Sequence, residues 1–192
     1  MKNPFLSDYI RIYRNFIDIQ TCSDITNLLA SQENIWRKHS WTSYDEKKGK
    51  LENHTKEDDF IVTDVISEEM QKFFEDALFS ANQMYSDDLK MDGSLISNLS
   101  SVRINRYTTG TKMHEHFDAI KSLFESGRGS PTLSFLGALN NDYTGGEFFM
   151  FDNMEIKLNA GDVMIFPSAF MYNHRVDTVK SGERWTFVSW GF

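Results

Sequence analysis

Residues 114–120, HEHFDAI, place two of the chain's five histidines and an aspartate at alternating positions. Side chains on a β-strand alternate between faces, so His114, His116 and Asp118 would share one face. Imidazole and carboxylate so arranged form a grip for a divalent cation; the plainer reading is a polar strand face turned to water. His174, in FPSAFMYNHRVDTV, offers a third ligand from another predicted strand. Two histidines and one carboxylate cap one side of an octahedral ion and leave neighbouring positions open, which suits catalytic Fe(II). Zinc more often takes three histidines, or two with Glu, in a tetrahedron. Spacing leaves both metals open. Beyond His174 lies Arg184, in SGERWTF. Its planar guanidinium matches a carboxylate with two parallel hydrogen bonds; the plainer reading is a surface charge after a turn. A metal with open positions beside such an anchor implies a chelating, acidic co-substrate.

These groups must be carried by strands. After residue 98, short apolar or alternating runs (SSVRINRYTTG, HEHFDAI, PTLSFLGALN, GEFFMFD, EIKLN, DVMIFPS, NHRVDTV, RWTFVSWGF) are punctuated by Gly, Asn, Asp, Pro and Ser. That texture predicts a sandwich or barrel of two sheets. Ser181-Gly182 reads as a hairpin turn that sets residues 174–180 against 184–190 and so brings Arg184 near His174. Before residue 98 the pattern predicts a strand over 9–17, YIRIYRNFI, and a helix through DITNLLASQENIWRKH, capped by Asp18 or Ser23, with Ile25, Leu28, Leu29 and Ile35 in one stripe. A second helix is predicted in EEMQKFFEDALFSANQMY, capped by Ser67 with Glu68 and Glu69 in its first turn. Residues 40–60 are polar and doubly charged, and read as an exposed loop whose Trp41 and Tyr44 make it a candidate substrate lid. His39 and His54 read as solvated. The picture is a mainly β fold with N-terminal helices, one domain over 1–192, with 1–98 as helical support and substrate loop and 99–192 as the metal-bearing core.

The chain has 192 residues, 14% aromatics and a formal net charge of −8. The acidic balance, with no basic stripe, argues against a general hold on nucleic acid. One cysteine, Cys22, excludes an internal disulfide and a cysteine-built zinc site and fits a reducing compartment. No apolar run reaches the roughly 20 residues of a membrane helix, and MKNPFLSDYIRIYRNF is unlike a signal peptide. The expected location is cytoplasmic.

Several pieces stand in the order of one known family. RYTTGTKMHEHFD, LNNDYTGGEFFMF, NAGDVMIFPS and NHRVDTVKSGERWTFVSW resemble successive motifs of the iron(II)- and 2-oxoglutarate-dependent dioxygenases, in their prolyl 4-hydroxylase-like branch. The resemblance covers roughly residues 99–192. It implies a double-stranded β-helix (jelly-roll, cupin-like) core supported by helices, and it takes His116, Asp118 and His174 as Fe(II) ligands, leaving His114 over. Arg184 takes the position that binds the far carboxylate of 2-oxoglutarate. Tyr107 matches a tyrosine that can bond the same carboxylate, and Thr186, two residues beyond Arg184, adds a hydroxyl on that face. Collagen-modifying members carry Lys where this chain has Arg184. The terminal Trp190 is expected in the core near the metal pocket, and Gly145-Gly146 in a tight turn.

The implied activity is hydroxylation of a C–H bond with O2 and 2-oxoglutarate, releasing succinate and CO2, with ascorbate as reductant. A prolyl residue of a peptide or protein is the leading substrate. A free amino acid or other small molecule, oxidative demethylation of nucleic acid, and a non-catalytic cupin-type binding module are the alternatives.

Overall fold

The computed structural model describes residues 5–45, 49–54, 60–119 and 129–192. Helix α1 (Ile19–Ala30) begins at Asp18, whose carboxylate accepts from the backbone N–H groups of Gln20 and Thr21. Two of the otherwise unbonded donors of the first turn are thereby satisfied. The helix stops at Ala30, well short of the predicted end. Residues 31–34, Ser-Gln-Glu-Asn, present no apolar stripe to continue it. The chain instead turns back so that Trp36 donates to the Leu29 carbonyl at 3.3 Å and packs edge-on against Trp185, ring centroids 5.3 Å apart. Ile25 and Leu29 are buried as expected, whereas Leu28 is exposed. Helix α2 (Glu68–Asp88) follows the prediction, with the Ser67 hydroxyl accepting from Met70 N–H.

The strands are β1 (Arg11–Tyr13), β2 (Arg37–Lys38), β3 (Trp41–Asp45), β4 (Lys50–His54), β5 (Ile61–Thr63), β6 (Arg103–Tyr107), β7 (Met113–His116), β8 (Leu133–Ala138), β9 (Thr144–Gly145), β10 (Phe148–Met150), β11 (Met154–Ile156), β12 (Val163–Pro167), β13 (His174–Val176), β14 (Val179–Ser181) and β15 (Arg184–Gly191). The strand predicted over 9–17 shrinks to β1. Leu6–Tyr9 is a 3-10 turn, and Arg14 and Asn15 are drawn off by the buried Asp162 carboxylate, which accepts from the Arg14 guanidinium at 2.6 Å and Asn15 N–H at 3.0 Å. Segment 40–60 contains the β3–β4 hairpin rather than a plain loop; ladder pairing uses main-chain groups and tolerates polar side chains. The side chains of Trp41 and Tyr44, the aromatics of the expected lid, and that of His54 lie outside the described residues.

A seven-stranded antiparallel sheet runs β1-β12-β8-β15-β6-β5-β2, and a four-stranded sheet runs β11-β10-β13-β7. Together with the helices this is the expected double-stranded β-helix. The large sheet has two different faces. Leu133, Phe135, Val163, Ile165, Trp185 and Phe187 pack with Cys22, Leu29, Phe74, Leu78 and Tyr85 of the helices. The opposite face, with Tyr107, Leu136, Met164 and Phe166, packs with Phe148, Met150, Ile156 and Val176 of the small sheet. Gly137 belongs to the first contact: a Cβ there would lie 2.1 Å from the Phe187 ring.

The predicted hairpin of 174–180 with 184–190 does not form. β13 pairs with β10 and β7, β14 pairs with β9, and β15 pairs with β6 and β8. Gly182 still turns the chain, at φ +76°, but between different sheets. Arg184 and His174 approach by facing each other across the sandwich.

Candidate metal and co-substrate site

β7 and β13 are antiparallel neighbours with His116 opposite His174, and the two rings lie 4.2 Å apart. β7 ends at His116, so Asp118 reaches the same point from the turn that follows rather than from a continuing strand. Its Oδ1 lies 3.6 Å from His116 Nε2 and 3.9 Å from His174 Nε2. One ligand atom from each of the three residues lies within 4.8 Å of the others, the one such cluster among the described residues. His114 is exposed and stands outside it. Its carbonyl contributes instead, 2.8 Å from His116 Nδ1, as the Tyr172 carbonyl lies 3.0 Å from His174 Nδ1. A carbonyl only accepts, so each Nδ1 carries the proton and each Nε2 turns a lone pair toward the shared point. Phe148 and Phe166 hold the His174 ring between them at 5.3 and 5.2 Å.

Asp118 is similarly fixed. Its Oδ2 accepts from the Ser134 hydroxyl at 2.6 Å, Ser134 contacts Ser168 at 2.8 Å, and the Trp190 side chain adds a hydrogen bond. Oδ1 is thus left toward the histidines. Burial alone would raise the Asp118 pKa; the neighbouring His174 and His116 and the bonds from Ser134 and Trp190 outweigh it and hold the carboxyl below its ordinary value. Burial, reinforced by the adjacent His174, lowers His116 to about 4. At neutral pH the trio is one carboxylate and an imidazole lone pair already free of its proton, a donor set fit for a divalent ion such as Fe(II).

The trio lines a cavity together with Tyr107, Arg184, Trp190 and Arg103. Arg184 is 3% exposed, and its Nε and Nη1 are buried without a hydrogen-bond partner. An unpaired buried guanidinium costs several kcal/mol, so the fold is prepared for an acceptor that enters the cavity. Its guanidinium sits 5.2 Å above the Tyr107 ring. Tyr107 stacks on Phe60 at 4.1 Å and Phe60 on His39 at 4.4 Å. His39 is therefore buried in this column, against the expectation that it is solvated, because the imidazole face matches the Phe60 ring. The Tyr107 hydroxyl is 3.5 Å from Met113 Sδ, a weak acceptor that a carboxylate would displace. Thr186 is buried on the face of Arg184, but its hydroxyl accepts from Asn105 at 3.5 Å, and Asn105 is the one on the cavity wall. Gly145 and Gly146 turn with positive φ, and a Cβ on Gly146 would lie 3.0 Å from Arg184 Cδ, so the pair also admits the guanidinium stem.

Sequence reading missed Arg103, Asn105 and Ser134 as site groups. The signal was there for the first two: Arg103, Asn105 and Tyr107 alternate on β6, opposite Val188, Thr186 and Arg184 on β15. For Ser134, inside an apolar strand, nothing in the sequence marked it.

Residues 102–192 match the family described as the 2OG-Fe(II) oxygenase superfamily. A PKHD-type hydroxylase of Prochlorococcus marinus (strain MIT 9211) is 31% identical over 112 residues, 57% of this chain and 49% of that protein. Another from Psychrobacter sp. (strain PRwf-1) is 46% identical over 63 residues, 30% of this chain and 24% of that protein. The chain thus spans half or less of the length of these curated relatives. The crystal structure of a Pseudomonas putida prolyl-4-hydroxylase superposes with a TM-score of 0.65 at 14% identity, covering 95% of this chain and 91% of that one. A prolyl hydroxylase from Trichoplax adhaerens, in complex with a hypoxia inducible factor oxygen degradation domain peptide fragment, gives 0.67 at 15% identity, covering 97% and 84%. These structures share the fold.

Proposed function

We propose that this chain, whose residues 102–192 are those of a 2OG-Fe(II) oxygenase superfamily sequence, is a Fe(II)- and 2-oxoglutarate-dependent dioxygenase that hydroxylates a prolyl residue of a peptide or protein. The observation that carries the reading is Arg184: a buried guanidinium with two unbonded donors in the cavity of a two-histidine, one-carboxylate cluster. The prolyl substrate rests on the relatives, which include prolyl hydroxylases and one with a bound peptide.

His116 Nε2, His174 Nε2 and Asp118 Oδ1 would hold the ion, and the Nδ1 and Oδ2 contacts keep those atoms from rotating away. Arg184, backed by Tyr107, would take the far carboxylate of 2-oxoglutarate. Leu136, Phe148, Phe166 and Val176 line the cavity and make its walls largely apolar, which strengthens charge pairing within it. Bound together, Fe(II) and 2-oxoglutarate supply the oxidising power: one atom of O2 enters the C–H bond as hydroxyl, the other enters succinate, and CO2 leaves. A reducing compartment, the cytoplasm, with ascorbate as auxiliary reductant, would keep the ion ferrous and the buried Cys22 thiol intact. No helix among the described residues is long and apolar enough to cross a membrane.

The test is succinate formation from 2-oxoglutarate with added Fe(II), joined to mass-spectrometric screening of proline-containing peptides for the gain of one oxygen. Asp118→Ala and His174→Ala are expected to abolish both signals. Wild-type turnover in either variant would remove the ligand assignment.

A further inference from the structure

Arg103 is the second guanidinium of the cavity, and nothing in the reading above uses it. It lies on β6 opposite Val188, while Arg184 lies opposite Tyr107, four residues along the same strand. The backbone positions that carry them therefore stand roughly 13 Å apart along the sheet. Arg103 is at the metal end: its guanidinium lies 5.0 Å over the Trp190 ring, and the Trp190 side chain hydrogen-bonds Asp118. Its Nε donates to Asn105 Oδ1 at 3.0 Å, which fixes the plane and leaves the Nη edge unassigned by that bond. Among the described residues Arg103 forms no ion pair, although it is half-buried; the nearby Asp64 is matched to Arg37 at 3.2 Å. Removal from water already disfavours its charge.

Charge bookkeeping then singles it out. The two charges of a ferrous ion, Asp118, the two carboxylates of 2-oxoglutarate and Arg184 cancel. Arg103 remains as one uncompensated positive charge in the walls of the cavity. A part-desolvated cation held rigid beside a reaction centre is stabilised by a monoanion with planar oxygens. We infer that Arg103 is a specificity-determining residue that receives a carboxylate of the primary substrate, from either a free amino acid or an acidic residue beside the target in a peptide. This inference rests on the proposed function and deepens it. A dianionic phosphate would overcompensate the single charge.

Calorimetry on the full chain, loaded with Mn(II), saturated with 2-oxoglutarate and kept free of oxygen, tests it without turnover. Two matched probe pairs serve: L-proline against L-prolinamide, and the capped tripeptide amide Ala-Pro-Glu against Ala-Pro-Gln. The carboxylate member of at least one pair should bind about tenfold tighter to the wild type, and which pair responds distinguishes the free amino acid from the peptide. In Arg103→Gln the preference should fall below about twofold, Arg103→Lys should keep part of it, and the affinity for 2-oxoglutarate should change by less than about twofold. Equal binding within both pairs, or a preference that persists in Arg103→Gln, would overturn the inference. Failure of the wild type to bind 2-oxoglutarate at all would instead strike the proposed function.

Discussion

The two faces of the seven-stranded sheet are built from the same strands and obey opposite rules. Along β15, Trp185 and Phe187 turn to the helices, while Arg184, Val188 and Trp190 turn to the cavity. The helix face is filled with hydrocarbon: Phe187 is fully buried against Phe74, 4.6 Å between rings, in the space that Gly137 leaves. The cavity face carries an unpaired guanidinium, a half-buried arginine and a carboxylate amid two imidazoles. One face supplies stability, and the other spends some of it to keep ligand-binding groups in place.

The sharpest way to test that division is to damage the stable face. Phe187→Ala removes a ring from a closed core and should cost about 3–5 kcal/mol, read as a lower denaturant midpoint. A loss under about 1 kcal/mol would mean the helix face is not where stability resides. Acid should then show the electrostatic side of the cavity face. The His116 pKa in the fold, about 4, lies below its ordinary value of 6.5, so the native state binds fewer protons than the unfolded chain between those values. Stability of the metal-free protein is therefore complete above about pH 6.5 and declines as pH falls toward 4. The lowered Asp118 pKa acts in the same direction further down. Urea melts at pH 7 and pH 4.5 should differ, and His116→Gln should reduce the difference; a variant with the wild-type difference would place the acid sensitivity elsewhere.

Smaller effects sharpen the contrast. Ser134→Ala removes one bond to Asp118 Oδ2 and should cost about 1 kcal/mol of stability while weakening Mn(II) binding by about 10- to 100-fold. Asp18→Ala, which uncaps α1 behind the other face, should cost a similar ~1 kcal/mol with Mn(II) affinity unchanged. Equal metal affinities in these two variants would erase the distinction between the faces.

Much of this was legible in the chain. The α2 cap and the β-rich second half were readable because each depends on local chemistry or period-two alternation, whereas the grouping of His116, Asp118, His174 and Arg184 was read from the family resemblance, since Asp118 lies beyond the end of β7 and β13 and β15 do not pair. What failed depended on distant partners. The end of α1 was decided by Trp36 finding Trp185, the shortening of β1 by Asp162 claiming Arg14 and Asn15, and the burial of His39 by Phe60. The hairpin expected at Ser181-Gly182 failed for the same reason: the turn was read correctly, but the strands it joins find their partners elsewhere. Ser134 sits in a run of apolar residues and shows its use only beside Asp118.

Arg184 joins both themes, since a donor left unpaired in the fold should be worth more to a ligand than to the fold. The decisive measurement is calorimetric titration of 2-oxoglutarate into Mn(II)-loaded protein without oxygen, for the wild type and Arg184→Leu. We expect one-to-one binding that requires the metal, and about 100-fold weaker affinity in the variant, with the stability of the ligand-free protein raised by about 1–4 kcal/mol. Binding indifferent to Mn(II), or equal in the two proteins, would contradict the account.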